Sequence, residues 1–136
     1  MICSRNADNV QHAVKALQEY NKYENKILGK TVDVTNYDSI EELVQFTKKE
    51  LGTIDIWVSN AGVSQEVLGK LTDTPVNTID AIVNTNLLGT IYCMKAVTIE
   101  LLKQENGGHI FNMSGAGTNG WVYTTNKNLP VHNIKN

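Results

Sequence analysis

Residues 109–127 read HIFNMSGAGTNGWVYTTNK, and two incompatible folds compete for them. Gly115-x-Gly117-x-x-Gly120 matches a dinucleotide-phosphate loop, in which a strand runs into a helix whose free N–H groups hold the pyrophosphate. Ser114, Tyr123 and Lys127 fit a catalytic loop instead, with Tyr-x-x-x-Lys setting two reactive groups on one helical face. The phosphate loop needs a helix start after its glycines and an acidic partner for the ribose about 20 residues on. "WVYTTNKNLP" is a poor helix start, rich in β-branched and aromatic residues with Pro130 close by, and no Asp or Glu follows Glu105. The catalytic reading is therefore the one carried outward.

Moving back along the chain, "HIFNMS" reads as a strand, preceded by the breaker Gly107-Gly108. A long helical region from Val76 to Gln104 lies before it, opened by Pro75, which suits a first turn. Gly89 inside it weakens the helix unless close packing requires a small residue. "TIDIWVSNAG" gives a buried strand from Ile54 to Ser59 running into a turn. The helix before that has an apolar face of Ile40, Leu43, Val44, Thr47 and Leu51, with Ser39-x-x-Glu42 as a capping box and Gly52 as its stop. "KTVDV", Lys30–Val34, is a further strand. Val10, Ala13, Val14 and Leu17 make the first helix, capped by Asn6 or Asp8, and "MIC" is the tail of a strand. Strand alternating with helix throughout predicts an α/β fold: a Rossmann-type doubly wound parallel sheet in three α/β/α layers.

The bulk numbers agree. With 136 residues the chain holds one domain at most, 1–136, and 41% hydrophobic with 19% charged residues is globular. A net charge of −2 gives no bulk attraction to nucleic acid or an anionic membrane. No apolar run approaches the roughly 20 residues of a membrane span. Cys3 and Cys93 sit in apolar stretches and are expected to be reduced, buried thiols. His12, His109 and His132 have no metal-ligand spacing, so no metal site is predicted.

Four motifs in order resemble the short-chain dehydrogenase/reductase family. "SNAG", Ser59–Gly62, is similar to the turn beside the cofactor, placing Asn60, Ala61 and Gly62 there. "VNTNLLGT", Val83–Thr90, is similar to the helix bearing the catalytic asparagine, which falls on Asn86. "HIFNMSGAG" resembles the strand ending in the catalytic serine, Ser114, and "YTTNK" supplies Tyr123 and Lys127. "CSR" resembles the NADP-preferring subgroup, so Ser4 and Arg5 would meet the 2′-phosphate; "DVT" would place Asp33 and Val34 at the adenine. Within the family, "IDIWVSNAG", "NTNLLGTIYCMKA" and "GGHIFNMSGAG" look most like the chlorophyll b reductases, which reduce a formyl group with NADPH.

The resemblance implies an oxidoreductase that takes NADP(H) in preference to NAD(H). Its substrate would be a small-molecule carbonyl such as chlorophyll(ide) b, and its parent a homo-oligomer. A chloroplast address follows if the pigment reading holds, and a cytoplasmic one otherwise. Tyr123 would donate the proton, Lys127 would lower the tyrosine's pKa and bind the nicotinamide ribose, and Ser114 would hold the carbonyl oxygen. Asn86 would hold a relay water. Bland readings stand beside these: Ser114 as a turn former, Asn86 as a helix-interior amide, Arg5 as a solvated cap and Asp33 as a turn former.

The nine positions from Ser114 to Tyr123 are fewer than the family usually shows, which leaves a loop deletion or a chance pair. The family's first strand, the centre of its 3-2-1-4-5-6 sheet, and the glycine turn after it have no counterpart here. The expectation is an incomplete domain, part of a longer protein, whose two half-sheets share no neighbour and expose open edges. A general carbonyl or alcohol dehydrogenase, and an inactive truncated paralogue, are the alternative functions.

Overall fold

The computed structural model of the chain describes residues 1–22, 25–64 and 70–113. Helix α1 (Ala7–Glu19) starts at Asn6, whose Oδ1 accepts the Asn9 N–H at 2.9 Å. That satisfies one of the four donors a helix leaves open at its start. Only Val10 of its expected apolar face is buried, because the helix lies on a pair of strands and nothing covers Leu17.

Helix α2 (Tyr37–Leu51) is capped differently from the expected box. Asn36 is the cap, its Oδ1 accepting the N–H groups of Asp38 and Ser39 at 3.0 and 3.3 Å. Ser39 sits inside the helix, its hydroxyl accepting the Asp33 N–H at 3.3 Å, and Glu42 pairs with Lys30 at 3.5 Å. An asparagine one turn earlier thus takes the role, and Ser39 is left to tie the helix to the preceding turn. Ile40, Leu43, Val44 and Thr47 are buried as the spacing predicted, and Gly52 ends the helix at φ +87°, where a side chain is disfavoured.

The long helical region divides into three. Helix α3 (Val76–Ile82) passes into a π-helical segment (Val83–Gly89) and then α4 (Thr90–Leu101). Thr85, Gly89, Cys93, Val97 and Leu101 recur every four residues and are buried. The small residue at Gly89 is required there: a Cβ would stand 2.8 Å from Val34 Cγ2 and 3.2 Å from the Val34 carbonyl oxygen.

Among the described residues all strand pairing is parallel, as predicted. Strand β1 (Ile2–Ser4) pairs with β2 (Gly29–Thr31), Ile2 opposite Gly29. Strand β3 (Ile56–Ser59) pairs with β4 (His109–Asn112), Ile56 opposite His109. Among the described residues these remain two separate two-stranded sheets with no ladder between β1 and β3. Both β2 and β3 are shorter than expected, for physical reasons. The Val32 N–H still reaches the Ser4 carbonyl, but the chain then turns away at Asp33. At Ile54 the Gln104 side chain takes both main-chain groups, accepting the N–H at 2.8 Å and donating to the carbonyl at 3.0 Å.

The core joins α2 and α4 over the strands: Val32, Val34, Ile40, Leu43, Val44, Ile54, Cys93, Ala96, Val97 and Leu101. At its edge Glu100 is buried and ion-paired to Lys48 and Lys103. On the far face of β3–β4, among the described residues, Ile56, Val58 and Phe111 are exposed, as is Met113 just after β4. Cys93 is buried as expected, but Cys3 is exposed; among the described residues β1 has β2 as its one strand neighbour.

Candidate active site

Parallel strands deliver their C-terminal ends to one rim, and loops from that rim carry most of the residues singled out in the sequence. Ser4, Arg5, Val34, Asn60, Ala61 and Gly62 line a single cavity of about 460 Å³. Thr85, Gly89, Thr90 and Cys93 add the helix wall. Sequence reasoning did not assign these four to the site. The small side chains of Thr85, Gly89 and Cys93 at every fourth position were the available signal, since a helix approached closely by another segment needs such a stripe.

Asp33 forms a tight side-chain turn in which its Oδ1 accepts both the Thr35 N–H, at 2.9 Å, and the Thr35 hydroxyl, at 2.8 Å. The Thr35 main-chain bond, with the hydroxyl and the Arg5 guanidinium nearby, holds the Asp33 carboxyl below its usual range. Asp33 is thus an anion at neutral pH, beside a cation at the end of β1. The turn-former reading of Asp33 and the binding reading are compatible, because both Thr35 bonds use the same oxygen.

Asn86 lies in the π-helical segment, a geometry frequent at functional sites. Its carboxamide makes two bonds to one residue, Oδ1 accepting the Val63 N–H and Nδ2 donating to the Val63 carbonyl, each at 2.8 Å. The Asn86 carbonyl in turn accepts the Thr90 hydroxyl at 2.8 Å. This amide clamp fixes the chain just after Asn60–Gly62, so the turn following β3 is held to the helix by a side chain. Sequence reasoning selected Asn86 but not this partner. Ser114, Tyr123 and Lys127 lie outside the described residues.

Among the described residues no group of His, Cys, Asp or Glu could hold a metal ion, and no helix is long and apolar enough to cross a membrane. The rim therefore offers one fixed cation, one fixed anion, main-chain groups of a clamped turn, and an apolar cleft. Such a set at the strand C-termini is where open α/β sheets bind ligands.

Comparison with known proteins places this architecture. The family model for short chain dehydrogenases matches residues 1–127, and the chain belongs to that family. It is 38% identical over 120 residues to chlorophyll(ide) b reductase NOL, chloroplastic, of Arabidopsis thaliana, covering 88% of this chain and 34% of the relative. It is 35% identical over 134 residues to the probable chlorophyll(ide) b reductase NYC1, chloroplastic, of the same plant, covering 88% of this chain and 27% of the relative. The chain thus spans about a third of the length of these curated relatives, or less. Among solved structures, ElxO with NADP bound superimposes with a TM-score of 0.68 at 31% identity, over 81% of this chain and 42% of that one. A short-chain type dehydrogenase/reductase from Mycobacterium ulcerans gives 0.74 at 25% identity, over 82% and 40%.

Proposed function

We propose that this chain is part of an NADP(H)-dependent reductase of the family, a partial NAD(P)-binding domain over 1–136 whose substrate is the formyl group of chlorophyll(ide) b. The observation that carries the reading is the rim itself: Arg5 and Asp33 at one end, and the clamped turn Asn60–Gly62 with Asn86 at the other. The similarity to two chlorophyll(ide) b reductases supports that choice of substrate. Their chloroplastic names support a plastid location.

The residues present fit the adenosine end of the cofactor. Arg5 opens onto the cavity as a permanent cation suited to a 2′-phosphate, and Ser4 adds a hydroxyl. Asp33 keeps Oδ2 outside its Thr35 bonds, available to accept from an adenine amine. Among the described residues no glycine-rich turn stands ready for a pyrophosphate. When bound, the cofactor supplies the hydride.

The chain's own part is positioning and proton transfer. Tyr123 gives its phenolic proton to the substrate oxygen as negative charge develops there. Lys127, four positions on, favours the tyrosinate and brings a group with an ordinary pKa of about 10 towards neutrality. Ser114 donates a hydrogen bond to the same oxygen. Asn86 Oδ1 has a second lone pair beyond its Val63 bond, which suits a relay water leading to Lys127.

The test is product analysis with the protein as it occurs in its source, incubated with chlorophyllide b and NADPH or NADH. The 7-hydroxymethyl product, formed faster with NADPH, is the expected result. Turnover of simple ketones with none of the pigment would replace this substrate by the general carbonyl reductase reading. Size-exclusion chromatography of the same material tests the homo-oligomer.

A further inference from the structure

We propose that Thr90 is a positioning residue for the reductase site, its hydroxyl holding the π-helical register that sets the Asn86 carboxamide against Val63. The effect on turnover rests on the reductase reading; the geometry does not. In a regular α-helix the Asn86 carbonyl would accept the N–H of Thr90, four residues on. Here that N–H goes to the Leu87 carbonyl instead. The Thr90 hydroxyl takes its place, donating to the Asn86 carbonyl at 2.8 Å.

Threonines often bond the carbonyl four residues back, and Thr47 does so to Leu43 at 2.8 Å within α2. Such a bond alone carries no function. At Thr90 two further contacts give it one. Gly89, its chain neighbour, is pressed against Val34, where a Cβ would stand 2.8 Å from Val34 Cγ2. Asn86, its bonding partner, holds the Val63 main chain through two 2.8 Å bonds.

The segment is thus pinned at Gly89 and at Asn86, and the turn between them decides where the carboxamide stands. Bonding five residues apart makes a wider turn than bonding four apart, so residues 86 and 89 are related by different rotations in the two helices. With Gly89 kept against Val34, a return to α-helical register would swing Asn86 about the helix axis and break both bonds to Val63. The Thr90 hydroxyl opposes that return, because it satisfies the Asn86 carbonyl without the Thr90 N–H. Contacts then run unbroken from Val34, next to Asp33 at one end of the rim, through Gly89, Thr90 and Asn86 to the turn after β3.

The role belongs to the hydroxyl and not to the bulk of the side chain. Thr90→Val keeps the β-branched shape and removes the donor, whereas Thr90→Ser keeps the donor and drops the methyl. Both variants, and Thr90→Val combined with Asn86→Ala, are made in the protein as it occurs in its source. Amide hydrogen exchange followed by NMR reads the Val63 N–H, with the Val44 amide in the core of α2 reporting global opening. In Thr90→Val the Val63 amide should exchange about fivefold faster, the scale of one lost hydrogen bond, while Val44 keeps its native rate. Thr90→Ser should restore Val63, and Thr90→Val should add nothing to Asn86→Ala. The kcat for chlorophyllide b should fall by a similar factor in Thr90→Val with KM unchanged, and recover in Thr90→Ser. Any of four results would overturn the proposal: native exchange at Val63 in Thr90→Val; equal acceleration at Val63 and Val44; no rescue by Thr90→Ser; or a further effect on top of Asn86→Ala. Exchange at Val63 needs no turnover, so it decides the role of Thr90 even where the pigment is not the substrate.

Discussion

Replacing Asn86 by aspartate changes one NH₂ group to an oxygen and tests whether the amide clamp organises the rim. In the native protein the carboxamide exchanges two 2.8 Å hydrogen bonds with the Val63 main chain, one accepted and one donated. Each such bond contributes about 0.5–1.5 kcal/mol net, and Asn86 is exposed, which favours the lower half of that range. Asn86→Ala should therefore cost about 1–2 kcal/mol. In Asn86→Asp one oxygen still accepts the Val63 N–H, but the other faces the Val63 carbonyl where a donor stood. Lost bonding plus repulsion between two acceptors should make the aspartate about 1 kcal/mol worse than alanine at pH 7. Protonation restores a donor, so the folded state favours the neutral carboxyl and its pKa rises above the unfolded value of about 3.9. The sign follows: the extra penalty is absent below about pH 3.9, grows as pH rises, and is complete above the folded pKa. Urea denaturation of both variants, compared with each other from pH 3.5 to 7, isolates this term from the acid sensitivity of the rest of the chain. Equal stabilities of the two variants at pH 7, with no change in their difference on acidification, would refute the clamp.

Gly89→Ala places a methyl group 2.8 Å from Val34 Cγ2, and overpacking of about 1–3 kcal/mol should outweigh the gain of up to roughly 1 kcal/mol in helix propensity, read as a lower denaturation midpoint. Glu100→Gln should destabilise by about 1–2 kcal/mol, a modest loss because Lys48 and Lys103 both reach solvent. The Lys48 bond, then Lys103, holds the Glu100 carboxyl below its usual range, so its contribution is present above the unfolded pKa and lost as pH falls through the folded one. The stability difference between the native chain and Glu100→Gln should thus shrink below about pH 4.3. Iodoacetamide at pH 8 should modify exposed Cys3 and spare Cys93, whose thiol is pushed up to about 11 by burial and then by Cys3; peptide masses at early times check the order.

Much of this site is legible along the chain because it depends on local chemistry. The strand-turn "IDIWVSNAG" is an apolar run broken by Asn and Gly, and a parallel pattern of such runs puts its turns on one rim. Ser4, Arg5, Val34 and Asn60 to Gly62 line one cavity there. The α2 cap was misplaced by sequence, since Asn36 and Ser39 both have capping chemistry and only the path of the preceding turn chooses between them.

The order of strands and helices, the parallel direction and the apolar face of α2 follow from sequence alone, because side-chain periodicity and turn residues act over a few positions. Tertiary structure decided what those elements meet. The need for Gly89 comes from Val34, 55 positions away in the chain, and the engagement of Asn86 comes from Val63, 23 positions away. Cys3 follows the apolar pair Met1-Ile2, yet it is exposed, and among the described residues β1 pairs only with β2. Periodicity marks which face of a strand or helix is apolar. Only the assembled fold determines whether another surface arrives to cover it.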